Sequence, residues 1–218
     1  MAELVTIPVS IFELRIDYGR PEFGLWLDRA AVVQCVFDAL KPWEPSVDDV
    51  EAVTTGKASE QGFLIKLPVK RVSFFFGPAS CKFTRENVTW QMAEETISIL
   101  DAGVAALIKS SSVVMGPKHT AISMHLQPKS APFISLLKPL LSTQLIALDP
   151  GSVTTMATVA KWANRKVTVD GSGIIANAAF LRLEREFPSD SSYVEIAEQL
   201  RKDEVEMFQV LGVEEETR

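Results

Sequence analysis

Residues 12–18 read Phe12-Glu13-Leu14-Arg15-Ile16-Asp17-Tyr18, and the strict alternation of this stretch decides how the chain is built. Successive side chains of a strand point to opposite faces, so Phe12, Leu14, Ile16 and Tyr18 share one face while Glu13, Arg15 and Asp17 share the other. A strand with one apolar and one charged face belongs to an antiparallel sheet that is covered on a single side. After the turn GRPEFG (19–24), Trp26, Ala30, Val33, Phe37 and Leu40 recur at spacings of three and four, the stripe of a helix stopped by Pro42. The polar segment 44–61 reads as a surface connection, with Ser46 and Asp49 spaced as a capping box. Three strands follow: one carries Phe63, Ile65 and Leu67, the next Val72, Phe74 and Phe76, and the third runs over 80–90 to Trp90 after the turn Gly77-Pro78. Ala93, Ile97, Leu100, Val104 and Leu107 then keep helical spacing up to the serine run 110–112.

The second half repeats this order. A strand over 118–127 puts Ile122, Met124 and Leu126 opposite Ala121, Ser123, His125 and Gln127. A short helix follows Ser130 and Pro132, carries Phe133, Leu136, Leu137, Leu140 and Leu141, and is interrupted by Pro139. Strands are expected at 153–162, 166–169 and 174–187, joined by Ala163-Asn164 and by the turn Asp170-Gly171-Ser172-Gly173. Ser192 and Glu195 form a capping box for a last helix through Ile196, Leu200, Met207 and Leu211, ending at Gly212, with Glu214 to Glu216 as a frayed tail. The expected fold is α+β: a single domain over 1–218, with an antiparallel sheet carrying its helices on one face. Within it stand two β-α-β-β-β-α units in tandem, 1–112 and 113–218, repeated in element order and not in residue identity.

Composition narrows the function classes. The chain has 218 residues, 47% hydrophobic and 23% charged, with a net charge of −6, which excludes disorder and collagen-like or disulfide scaffolds. The longest stretches without a charged residue are 150–160 and 171–181, 11 residues each, too short for the ~20 apolar residues of a membrane helix. The first ten residues, with Glu3 and Pro8, lack the form of a signal peptide, so a cytoplasmic location is expected. From 190 to 218 there are nine acidic and three basic residues, while 1–189 balance at 19 of each. Nucleic-acid binding needs a basic stripe, and the largest basic cluster is Lys66, Lys70 and Arg71.

The segments IFELRIDYG (11–19), FTRENVTW (83–90) and SYVEIAEQLRKDEVEMFQVL (192–211) resemble a sparsely described bacterial family of sporadic distribution. The resemblance implies a similar element order and no activity or site, since the family has no settled function. Two of its features are missing: a histidine in the terminal helix, and an arginine-rich strand where this chain has KHTAISMHLQ (118–127). Duplicated saddle-like and helix-grip folds share the general layout, an analogy of architecture only.

His119 and His125, the only histidines, fall on one strand face with Ser123 and Gln127, about 20 Å apart at ~3.3 Å per residue. Together with Ser123 they are the candidates for general-base chemistry in a polar groove; six residues apart on a straight strand, they cannot share a metal. No HExxH or CxxC spacing occurs, so neither metal nor cofactor is expected. Cys35 and Cys81 read as reduced thiols, Cys81 as a core residue beside Phe83. Trp162 stands at a hairpin tip beside Lys161 and Arg165, a residue mix suited to a contact surface.

The leading expectation is a non-enzymatic binding or interaction protein that uses the open sheet face for a protein partner or for self-association as a homo-oligomer. One alternative is an enzyme with a groove around His119, Ser123 and His125. The other is a carrier whose sheet curves around a small apolar ligand lined by Phe75, Met156 and Phe180.

Overall fold

The computed structural model of the chain describes residues 2–54, 56–137, 140 and 158–216. Its strands are β1 (Glu3–Tyr18), β2 (Val50–Val53), β3 (Gly62–Leu67), β4 (Val72–Phe76), β5 (Ser80–Glu86), β6 (Met115–Pro128), β7 (Thr158–Lys161), β8 (Arg165–Gly171), β9 (Ala179–Phe187) and β10 (Val213–Glu215). Its helices are α1 (Gly24–Leu27), α2 (Arg29–Leu40), α3 (Ala93–Ser110), α4 (Ile134–Leu137) and α5 (Tyr193–Leu211). Strands hydrogen-bond in the order β2-β3-β4-β5-β1-β6-β9-β8-β7, with β10 on β1. The meanders β2 to β5 and β7 to β9 are antiparallel, and the fold is α+β. Two compact units divide the chain: residues 12–120 with 186–197, and residues 1–11 with 121–185 and 198–218. Their cores differ in kind, and they are called the aromatic and the aliphatic unit below.

In the aromatic unit, alternation in β1, β3, β4 and β5 buries Phe12, Phe63, Phe74, Phe76 and Phe83 together. Phe63 stacks on Phe76 at 4.8 Å, and Phe83 meets Phe74 edge-on at 4.9 Å, the offset and T-shaped geometries that the ring quadrupole favours. Helix α3 lies close over this layer because Gly103 faces Phe74; a Cβ there would stand 2.7 Å from the ring. The core of the aliphatic unit is Met124 and Leu126 from β6, Val167 and Val169 from β8, Leu181 and Leu183 from β9, and Leu200, Met207 and Leu211 from α5. The capping box that starts α5 is formed, Ser192 N–H donating to Glu195 and Glu195 N–H to Ser192 Oγ. Gly212, at φ 67°, ends the helix in the left-handed conformation that costs glycine least.

Several expectations need correction. Strand β1 begins at Glu3, well before residue 12, and its buried phase shifts by one residue between Val5 and Ser10, across Pro8. A proline inside a sheet is confined to edges, strand starts and bulges. Segment 44–61 is more than a connection: the Ser46/Asp49 box caps a 3-10 turn that leads into β2, paired with β3. Helix α2 buries Val32, Val36 and Leu40, while Ala30 is exposed and Val33 and Phe37 are half-buried. Apolar residues encircle this helix, so its sequence alone does not fix which side packs; the side chain of Trp26 lies outside the described ones. Strand β5 stops at Glu86, and Trp90 opens a 3-10 turn. Strand β9 starts at Ala179 because residues 172–178 form a turn closed by Ser172 N–H donating to Ala178 O. The acidic tail is strand β10, parallel to Glu3–Val5 of β1 and anchored by Val213. Of the expected strand at 153–162, residues 153–157 lie outside the described residues, as do Pro139, Leu141 and Met156.

Candidate functional site

The residues expected to line one groove on β6 do not converge. His119 belongs to the aromatic unit, where its Nε2 sits 3.1 Å from Asp17 Oδ2 and its Nδ1 3.9 Å from Glu186. Asp17 is also gripped by Nε and Nη2 of Arg15, at 2.7 and 2.8 Å. That bidentate contact, more than His119, holds the Asp17 carboxyl below its ordinary range.

Ser123 and His125 belong to the aliphatic unit, and there β6 is buried on both faces: Ala121 to Leu126 are all inside. Single-sided alternation therefore fails for this strand. Arg182 donates to Ser123 Oγ at 2.8 Å, the Phe180 ring lies 5.2 Å from the His125 ring, and Ser172 Oγ lies 2.8 Å from His125 Nδ1. Desolvation lowers the pKa of His125, which favours the neutral ring. Ser172 and His125 form the spatial pair of a nucleophile and its base, but Ser172 Oγ already accepts the N–H groups of Ile174 and Ile175. Both hydroxyl lone pairs are thus committed to closing the turn.

At the hairpin tip the structure does bring Trp162 and Arg165 together, with the Arg165 guanidinium 4.7 Å from the indole ring centre. Arg165 is largely buried and pairs with Asp203 and Glu206 of α5, while Trp162 and Lys161 are exposed. Of the carrier residues, Phe75 lies under Lys82 in the aromatic unit and Phe180 against His125 in the aliphatic unit. Cys81 is buried, and burial pushes its thiol up to about 12; the phenol of Tyr18 beside it is raised by the same cause.

The concave feature that combines apolar walls with perturbed polar groups was not among the sequence candidates. It is a cleft of about 340 Å³ in the aromatic unit, on the helix side of β6. Its apolar lining comes from Ile97, Val104 and Ile108 of α3, with Met115 and Val194. Lys118 forms the base: buried at 6% exposure, it donates to the carbonyls of Ser189 and Ser191, the latter at 2.7 Å, and its Nζ sits 5.7 Å from the centre of the Tyr193 ring. Two carbonyls and one aromatic face take up the three donors of an ammonium. Burial lowers the pKa of Lys118, with Asp190 and Glu195 pulling the other way. Burial also raises Tyr193. Asp101 of α3 lines the same cleft; it is exposed, and partial desolvation by the cleft wall raises its carboxyl. The sequence signal for this cleft was a lysine and an aspartate at otherwise ordinary strand and helix positions, which only the fold brings to one place.

No family model matches the chain, and no curated protein matches it. Among solved structures, a conserved hypothetical protein from Pyrococcus furiosus aligns with 93% of this chain and 91% of its own length, at 10% identity and a TM-score of 0.17. A likeness that slight carries no argument about fold or function. Among the described residues no helix is long and apolar enough to cross a membrane, and no group of three or more metal-ligating side chains gathers.

Proposed function

We propose that this protein is a binding protein without a catalytic step, and that its ligand is a small organic amine with an apolar body, seated in the Lys118 cleft. The observation that carries the reading is the placement of Asp101, an exposed carboxylate with no cationic partner among the described residues, on a wall otherwise built from Ile97, Val104 and Ile108. An ammonium group there would pair with the Asp101 carboxylate, and the ligand's apolar part would cover the aliphatic wall. Lys118 supports this division of labour. Its donors are committed to Ser189, Ser191 and Tyr193, so it shapes the cleft and leaves recognition to Asp101. Its charge is offset by Asp190 and Glu195, which leaves the neighbourhood favourable to a cation. The volume, about 340 Å³, is at the lower end of small-molecule sites.

The test is a thermal-shift and NMR titration with arylalkyl and alkyl amines against carboxylic acids and alcohols of matched carbon skeleton. An amine at about 100 times its Kd stabilises by about 2.7 kcal/mol, which at ~2–4 °C per kcal/mol for a chain of this size is readily measured. Amines should shift the resonances of Ile97, Val104 and Tyr193, and Asp101→Asn should abolish the effect. Affinity should fall as the pH drops through the raised pKa of Asp101, because the protonated carboxyl no longer attracts the ammonium. Equal responses to amines and acids, or an undiminished response in Asp101→Asn, would overturn the reading.

A further inference from the structure

The contact between Ser172 and His125 fixes a proton. A serine hydroxyl has one hydrogen and two lone pairs. Here the oxygen accepts from Ile174 N–H at 3.2 Å and from Ile175 N–H at 2.9 Å, which uses both lone pairs. The hydroxyl hydrogen must therefore point at the His125 ring nitrogen 2.8 Å away, and that nitrogen must be bare. A second proton on the ring would set an N–H against an oxygen with no lone pair left, and the hydroxyl would lose its acceptor. Relief comes when the start of the turn gives way, since the Ser172 oxygen holds the Ile174 and Ile175 N–H groups there.

We propose that the Ser172–His125 hydrogen bond is a pH-sensitive latch: proton uptake by the ring releases the Ser172–Ile175 end of the turn from the buried face of β6. This inference is independent of the amine cleft, which belongs to the other unit. Charged groups on the elements around His125 are already engaged. Arg182 of β9 holds Ser123 and lies 3.5 Å from Glu184, and Glu184 also pairs with Lys166 of β8. Asp170 of β8 accepts the N–H of Gly171, and Glu3 of β1 accepts from Ser130 and Ala131. Burial alone accounts for the direction in which the ring is shifted, so no carboxylate stands ready to welcome the imidazolium. The linkage has a definite sign. The released ring titrates near its ordinary 6.5 and the latched ring lower, so the latch is at full strength above about pH 6.5 and weakens as the pH falls below it.

Amide hydrogen exchange at Ile174 and Ile175, corrected for intrinsic rates, tests this. Between about pH 7.5 and about pH 5.5 their protection should fall about tenfold, the factor for a group that binds its proton near pH 6.5 only in the open form. The Trp162 amide, which donates to Arg165 O, should show no such fall. His125→Gln presents a carbonyl to the same hydroxyl and does not titrate, so its profile should be flat, while Ser172→Ala should be open at both pH values. A flat wild-type profile, or one that still falls in His125→Gln, overturns the latch. Should His125→Gln fail to fold, ring nitrogen shifts of the wild type decide. A bare nitrogen facing Ser172 at about pH 7.5 supports the latch, and a protonated one there sinks it.

Discussion

Both units tie the last strand of a meander to the helix that follows it with an arginine, and they do so with different chemistry. In the aromatic unit Arg85 of β5, 3% exposed, reaches α3, where it donates to the neutral Thr96 hydroxyl at 2.6 Å and to Glu95 at 2.6 Å. Glu95 is about one-third exposed and is shared with Lys70. In the aliphatic unit Arg185 of β9 reaches α5, where Asp203, 2% exposed, receives two bonds from it at 2.8 Å. Asp203 takes further bonds from Arg165 and Gln199. The first arrangement keeps one cation inside and leaves its counter-charge half in water. The second sinks the anion itself and surrounds it with donors. Desolvation makes such an anion costly to bury and its donors costly to orphan, so the second should be far more sensitive to loss of one partner.

The largest effect is expected from Asp203→Ala, which removes the buried anion that Arg165 and Arg185 share and leaves Arg165 only Glu206 at the surface. Removing one member of a buried ionic group costs about 3–5 kcal/mol, and denaturant unfolding should register a loss on that scale. A loss no greater than that of Thr96→Val would erase the contrast between the units. Thr96→Val removes the neutral acceptor of Arg85 while Glu95 stays, and a cost of about 1–3 kcal/mol is expected for one unmet buried donor.

Glu95→Gln should cost less, about 1 kcal/mol or below, since the pair is solvent-screened and salt weakens it further. Lys70 and then Arg85 hold the Glu95 carboxyl below its ordinary 4.5. Its contribution is therefore complete above about pH 4.5 and is lost as the pH falls through the lowered value. Urea midpoints at acid pH should accordingly converge for the wild type and Glu95→Gln; midpoints that stay apart would place the interaction elsewhere. The smallest effect belongs to His119→Gln. The side chain is 39% exposed and its partner Asp17 keeps Arg15, so stability should change by no more than about 0.5 kcal/mol. A drop of several degrees in the melting temperature would give His119 a structural role.

Much of this architecture is legible in residue order. Alternation in 12–18 names the core face of β1 because period two admits only two faces, and both capping boxes place their turns because the spacing of Ser46 to Asp49 and of Ser192 to Glu195 satisfies backbone donors locally. The α5 stripe of Ile196, Leu200, Met207 and Leu211 is buried as its periodicity demands. Helix α2 was legible as a helix but not in its orientation, since an apolar surface all round leaves the choice to its neighbours. Strands β2 and β10 were missed because both are short, too short to show an alternation, and their stability comes from pairing with β3 and β1.

The sites divide in the same way. That His119, Ser123 and His125 share a strand face follows from sequence spacing alone. Their separation into a half-buried histidine–carboxylate contact and a buried latch was decided by what the chain lays over that face, above all the turn 172–178, whose residues lie some fifty positions away. Asp101 and Lys118 carry no local signal at all. One sits on α3 and the other on β6, and their shared cleft exists because the carbonyls of Ser189 and Ser191 come to Lys118. Local rules reach a few residues along the chain, through backbone hydrogen bonds and side-chain period. The depth at which a charge is desolvated depends on segments brought together by tertiary packing, and only the folded structure supplies them.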